Sequence, residues 1–278
     1  AMDELEGTRA QKWNVIELAL QFSSNDQKDR KRGQSTIFDF MDTEDEDNNY
    51  NPPLPSVEPW SYIYQLEKEK EVLGFYLSGH PLFEYRSLIK HLTNANSSTG
   101  KTKNNGELLI AGIINNISKK KDNKGNPIAF VEFEDLYGKF EVPLFNKDFM
   151  QYQKKISPGK VFFIIGNKST FNGNEDSILR ILPNALIDFK ELPSELSGEI
   201  KINIPNEHLK NGLLTELGNR ISRNTGKFKL IIKIQSEDLN DYQLESRKLF
   251  FPDEALLNWL EKEKIDFQVR VATNGKNN

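Results

Sequence analysis

The chain has 278 residues, 37% of them hydrophobic and 28% charged, a formal net charge of −4 and no cysteine. Such a length calls for two or three compact units joined by linkers, and the missing cysteines exclude disulfides, thiolate catalysis and cysteine-ligated metal sites. No stretch approaches the roughly 18–20 apolar residues of a membrane span and the N-terminus lacks a signal-peptide layout, so the expectation is a cytoplasmic protein without a membrane partner. The mild anionic balance excludes a global basic field, so nucleic acid would have to be met by a local basic patch.

Residues 1–23 read as a helix. Thr8 is its N-cap, Gln11 closes a capping box three positions on, and Ala10, Trp13, Ile16 and Leu20 form its apolar stripe. Residues 24–56 are polar, then acidic, then proline-rich, a composition that cannot bury a core and reads as a flexible linker. One apolar island interrupts it, Ile37–Phe38–Asp39–Phe40–Met41. Residues 57–105 form a helical segment, with Pro59 in the first turn of a helix expected to reach Leu77 and to bury Trp60, Ile63, Leu66, Leu73 and Tyr76. His80–Pro81 restarts the chain into a third helix ending near Leu92, followed by a polar loop.

Residues 106–190 change to strand patterning, with strands expected at 108–117, 128–135, 139–145, 161–170 and 177–187 and a helix at 146–156. Five strands with a helix between the third and fourth is the chain order of an OB-fold barrel; a five-stranded SH3-like barrel would not place a helix there. Residues 197–272 read β-α-β-β-α-β, an α+β domain expected to adopt the split ferredoxin-like arrangement with helices on one side of a mixed sheet. The helix from Pro252 carries Leu256, Leu257, Trp259 and Leu260, more apolar residues than one buried stripe requires; the excess is expected either to offer a partner surface or to belong to the core.

The connection between the first two barrel strands holds Lys119, Lys120, Lys121 and Lys124. In an OB-fold such a loop grips backbone phosphates, whereas outside that context four lysines describe a solvated turn. Strand alternation points Ala129, Val131 and Phe133 inward and Phe130, Glu132 and Glu134 outward; the two outward carboxylates argue against a tight DNA groove there and leave Phe130 and Phe171 as the stacking candidates. Catalytic residues are not expected. The densest acidic cluster lies in the linker, where it could not hold metal geometry, and the three histidines have no metal spacing.

In the linker, Gln34 precedes Ile37 and Phe38 by three and four positions. This resembles the bacterial sliding-clamp-binding pentapeptide, in which two apolar anchors enter a greasy pocket and a glutamine amide fixes the register; the alternative is that Ile37 and Phe40 pin the linker to the folded body. Further stretches resemble one family, the bacterial DNA polymerase III alpha subunit. Glu69–Lys70–Glu71–Val72–Leu73–Gly74–Phe75–Tyr76–Leu77–Ser78–Gly79–His80–Pro81–Leu82 is similar to the segment before that family's OB domain. The run from Val131–Glu132–Phe133–Glu134–Asp135 through Leu136–Tyr137–Gly138 to Phe145 is similar to its OB hairpin, and Asp3 to Ala10 is similar to the end of its helix-hairpin-helix region. The resemblance implies a non-catalytic C-terminal region with the magnesium-dependent active site N-terminal to it. It also implies three partners: the sliding clamp at Gln34, Ile37 and Phe38, single-stranded DNA at the barrel, and the clamp-loader tau subunit at the terminal domain. A freestanding OB-fold RNA or tRNA binder is the competing reading.

Overall fold

The computed structural model describes residues 4–31, 54–102, 106–169, 178–205, 212–235 and 242–272, which fall into two compact units divided after Ser78. In the first unit, helix α1 (Arg9–Lys31) opens with the expected reciprocal box: Thr8 N donates to Gln11 Oε1 at 2.9 Å and Gln11 N to Thr8 Oγ1 at 3.3 Å. The helix continues to Lys31, through the polar stretch expected to begin the linker. Its apolar stripe is not a buried one, since Ala10 is buried but Trp13 and Leu20 are 61% and 65% exposed.

Helix α2 (Tyr62–Leu73) is capped by the Ser61 hydroxyl and stops at Gly74, whose φ of 82° is left-handed and free for glycine alone. The helix therefore ends before Leu77. Leu66 is fully buried, whereas Leu73, expected in the core, is exposed. Glu69 ties the unit together by accepting from Arg9 Nη1 at 2.8 Å, Ser78 N at 2.9 Å and the Ser78 hydroxyl. These donors hold its carboxyl down at about 2.

The second unit starts with a 3₁₀ turn (Pro81–Tyr85) capped by His80 Nδ1, which accepts from Leu82 N at 3.2 Å, and runs into α3 (Arg86–Leu92) and the single turn α4 (Thr99–Thr102). Then come β1 (Leu108–Lys121), β2 (Pro127–Glu134), β3 (Lys139–Phe145), α5 (Asn146–Tyr152), β4 (Val161–Lys168) and β5 (Leu179–Asp188). They close into a barrel in the order β1-β2-β3-β5-β4, with β3 and β5 parallel and every other pair antiparallel. Closure depends on β1 serving two neighbours. Its first half pairs with β4 and its second half with β2, with an irregular register between Ile114 and Asn116 where the strand turns the corner. At this crossover a Cβ on Gly112 would come within 2.8 Å of the Phe140 ring. Alternation fills the interior with Ala129, Val131, Phe133, Phe140, Val142 and Leu144, all fully buried, and Phe133 stacks on Phe140 at 5.3 Å.

The barrel leads through α6 (Leu192–Glu195) into β6 (Ser197–Pro205), α7 (Leu213–Arg223), β7 (Lys227–Gln235), β8 (Tyr242–Glu245), α8 (Glu254–Lys262) and β9 (Asp266–Val271). The β-α-β-β-α-β order is as expected and the sheet is mixed, but it runs β8-β7-β6-β9 with β6 and β7 directly paired in parallel. No strand splits the first βαβ unit, so the split ferredoxin-like arrangement is not formed.

The apolar surplus of α8 is also accounted for. Leu256, Leu257, Trp259 and Leu260 are all buried, because α8 is covered on two sides. One hydrophobic core joins them to Ile200, Ile202 and Phe228 of the sheet, to Leu88 and Leu92 of α3, and to Leu109, Ala111 and Phe163 on the outside of the barrel. The barrel and the terminal domain are thus built on a shared core.

Candidate nucleic-acid interface

The outer face of β1, β2, β3 and β5 is read from the register. Ser118 lies opposite Phe130 and Phe130 opposite Pro143; Lys120 lies opposite Ile128 and Ile128 opposite Phe145. Residues opposed across a ladder share a face, so Lys120, Phe130 and Phe145 stand together. The Lys120 ammonium sits 5.5 Å from the Phe130 ring centre, and Phe145 is 46% exposed. Phe145 was absent from the sequence candidates, although the alternation that buries Phe140, Val142 and Leu144 requires it to face outward.

The next rows carry charge. Asn116, Glu132 and Glu141 lie in one row with Arg180. Arg180 Nε donates to Glu141 Oε1 at 2.6 Å and Lys139 Nζ to Glu132 Oε1 at 2.9 Å; the hydrogen bond to Glu132 raises the Lys139 ammonium above its ordinary range. Of the two carboxylates that alternation placed on this face, Glu132 is therefore paired with a cation that sequence reasoning did not single out, while Glu134 accepts from the Asn115 side-chain amide at 2.5 Å.

The four lysines do not act as one cluster. Alternation sends Lys120 to the Phe130 side, while Lys119, opposite the inward-pointing Ala129, has its ammonium 5.9 Å from the ring centre of Phe149 on α5. Lys121 ends β1, and Lys124 lies in the turn that follows. That turn is tightly built: Gly125 N donates to Asp122 O at 2.9 Å and Asp122 N to Asn126 O at 2.9 Å. The Asp122 carboxylate accepts from Lys124 N at 2.8 Å, Asn126 N at 2.7 Å and Asn126 Nδ2 at 2.9 Å. The Asn126 side-chain amide, followed by the backbone N–H groups, keeps the Asp122 carboxyl below its ordinary range.

Phe171 and the linker peptide with Gln34, Ile37 and Phe38 lie outside the described residues. Among the described residues no three His, Cys, Asp or Glu side chains stand together as a metal site, and no helix is long and apolar enough to cross a membrane.

A closed five-stranded barrel with a basic hairpin, a half-buried Phe130 and an exposed Phe145 on one face is of the OB class, and residues 108–185 match the family model tRNA_anti-codon, the OB-fold nucleic acid binding domain. Over most of its length the chain is similar to alpha subunits of DNA polymerase III. It is 27% identical over 271 residues to that of Borreliella burgdorferi, covering 94% of this chain and 23% of the relative. It is 30% identical over 172 residues to that of Treponema pallidum (59% and 14%) and 26% identical over 272 residues to that of Neisseria meningitidis serogroup B (98% and 23%). The chain is therefore homologous to the DNA polymerase III alpha subunit, and it spans less than a quarter of these relatives' length. Among solved structures, the mitochondrial single-stranded DNA binding protein Rim1 of S. cerevisiae overlaps 31% of this chain and 96% of that one at 8% identity, with a TM-score of 0.26.

Proposed function

We propose that this chain is the non-catalytic C-terminal region of a cytoplasmic replicative DNA polymerase, with an OB barrel that holds single-stranded template DNA. The observation that carries this reading is the face formed by Lys120, Phe130 and Phe145, in a chain matched over nearly its whole length by polymerase alpha subunits. Lys120, Lys121 and Lys124 would meet phosphates, and Phe130 and Phe145 would stack bases, a sequence-tolerant contact because every base has a π-face. Lys119, turned toward Phe149, extends the site only where the strand turns toward it, and Phe171 is a further residue proposed to stack a base. The peptide Gln34, Ile37 and Phe38 would tether the polymerase to the sliding clamp, and residues 197–272 would meet the clamp-loader tau subunit. With Leu256, Leu257, Trp259 and Leu260 in the core, a tau surface has to be sought elsewhere on that domain.

Anisotropy of a labelled oligothymidylate, titrated across a salt series, tests the barrel. Replacing Lys120, Lys121 and Lys124 by alanine is expected to weaken binding and to reduce the slope of log affinity against log salt by up to about 0.7 per lost phosphate contact. An unchanged slope would remove the lysines from the site. A preference for folded RNA over the single strand, together with failure to bind a clamp, would favour the freestanding RNA-binder reading. For the tether, replacing Ile37 and Phe38 by alanine is expected to abolish clamp binding without moving the thermal transition.

A further inference from the structure

We propose that Asp122 is the positioning residue of the lysine loop, holding a phosphate-contacting turn in its bound form before the strand arrives; this rests on the reading of the barrel given above. A lone carboxylate among Lys119, Lys120, Lys121 and Lys124 opposes phosphate binding by simple charge, so its place in the turn has to be explained by what it holds. Its two oxygens accept three N–H groups, from Lys124 N, Asn126 N and Asn126 Nδ2. Its backbone makes two further bonds, to Gly125 and Asn126, and Gly125 adopts the left-handed φ of 83° that closes the turn. These bonds fix the backbone of Asn123, Lys124 and Gly125 at the tip. They also set the register that leaves Lys121 opposite Pro127 and Lys120 over Phe130.

Fixing a residue's backbone removes conformational entropy that binding would otherwise have to remove. At this solvated tip the repulsion between Asp122 and a phosphate is screened by water and salt. Pre-ordering therefore outweighs the charge. Among the described residues the hydrogen bonds of the Asp122 side chain stay within the turn, so it acts through the lysines and needs no contact with the strand.

The test is oligothymidylate binding by the full chain, its Asp122→Ala and Asp122→Asn variants and the Lys120, Lys121 and Lys124 alanine variant, each over a salt series. Asp122→Ala is expected to weaken binding about tenfold, a loss of about 1.4 kcal/mol, with the salt slope kept because every lysine remains. Asp122→Asn, which keeps an acceptor oxygen for Lys124 N and Asn126 N, is expected to recover most of the loss. Equal or tighter binding by Asp122→Ala would overturn the proposal and leave Asp122 as a repelling charge. A slope reduced as far as in the lysine variant would also overturn it, since the carboxylate would then be needed for the contacts themselves. Failure of the unaltered chain to bind oligothymidylate would overturn both this proposal and the reading of the barrel.

Discussion

Single residues decide which of the four lysines can serve the barrel face. Lys120 shares the face of Phe130 while Lys119 points toward Phe149, so Lys120→Ala is expected to weaken single-strand binding severalfold more than Lys119→Ala in parallel titrations. This split was legible in the sequence, because the same period of two that sent Phe130 outward separates neighbouring lysines; so was the outward position of Phe145. The ion pairs Glu132–Lys139 and Glu141–Arg180 were not legible, since they require the register of β2 with β3 and of β3 with β5. Asp135 is a further residue whose role depends on distant chain. It is buried and accepts from Ser97 N and Oγ, both at 2.6 Å, and from Tyr137 N at 2.8 Å and Gly138 N at 2.9 Å, closing the β2–β3 hairpin over the loop before the barrel. Asp135→Ala strands the two buried Ser97 donors and is expected to destabilise the second unit by about 2–4 kcal/mol in urea unfolding, at roughly 1–3 kcal/mol for an unsatisfied group. Glu69 gives a pH signature in the first unit. Its carboxyl is held at about 2 against an ordinary 4.5, so its stabilisation is complete above pH 4.5 and is lost as pH falls toward 2. Hydrogen-exchange protection of α2 should decline across that window, and Glu69→Gln should flatten the decline.

At the scale of elements, local signals were read well and remote ones were missed. The capping box of α1 and the five barrel strands follow from spacing within a few residues, and the helix between β3 and β4 was found at its place. The end of α2 was misplaced because a left-handed Gly74 outweighs the apolar residues Phe75, Tyr76 and Leu77 that continue the helical pattern. Helix α3 shows why other features could not be seen. Its first turn is capped from 167 positions away: Glu254 on α8 accepts Ser87 N at 2.9 Å through Oε1 and Leu88 N at 2.8 Å through Oε2. Further along α8, Asn258 accepts from the Ser87 hydroxyl at 2.7 Å, and Glu261 binds Lys90 at 2.6 Å and His91 at 2.8 Å. Positions 254, 258 and 261 form one helical stripe, and with this polar stripe turned toward α3 the helix still buries Leu256, Leu257, Trp259 and Leu260, leaving Ala255 and Lys262 exposed. Glu254→Ala removes the remote cap and is expected to lower stability by about 1–2 kcal/mol. Exchange of the Ser87 and Leu88 amides should accelerate while the barrel interior stays protected.

For the whole molecule, sequence patterning marks a new unit at Ser197, but composition cannot reveal that two patterns share one core. Leu88 and Leu92 of α3 lie in the same buried cluster as Leu109, Ala111 and Phe163 of the barrel and Leu256, Leu257 and Leu260 of α8. Apolar positions on the outside of a barrel strand read as an inner face when the strand is considered alone, which is why β1 shows an unbroken buried run from Leu108 to Ile114 where a solvated strand would alternate. That run was the available signal. Ending the chain after Pro193 would expose Leu109, Ala111 and Phe163, so the remaining barrel is expected to aggregate or melt at lower temperature and could not serve as a neutral background for mapping partners. A point change tests the coupling more cleanly. Leu92 is 2% exposed, and Leu92→Ala should destabilise by about 2–5 kcal/mol, as other buried leucines do. If the shared core folds as one cooperative unit, protection against hydrogen exchange will fall together in β1 and β4 of the barrel and in β6 and α8 of the terminal domain, and the second unit will still melt in a single transition. A fall confined to the barrel strands would mean that the two domains are energetically independent despite their contact, and that motion at the proposed nucleic-acid face need not be felt at the proposed partner surface of the terminal domain.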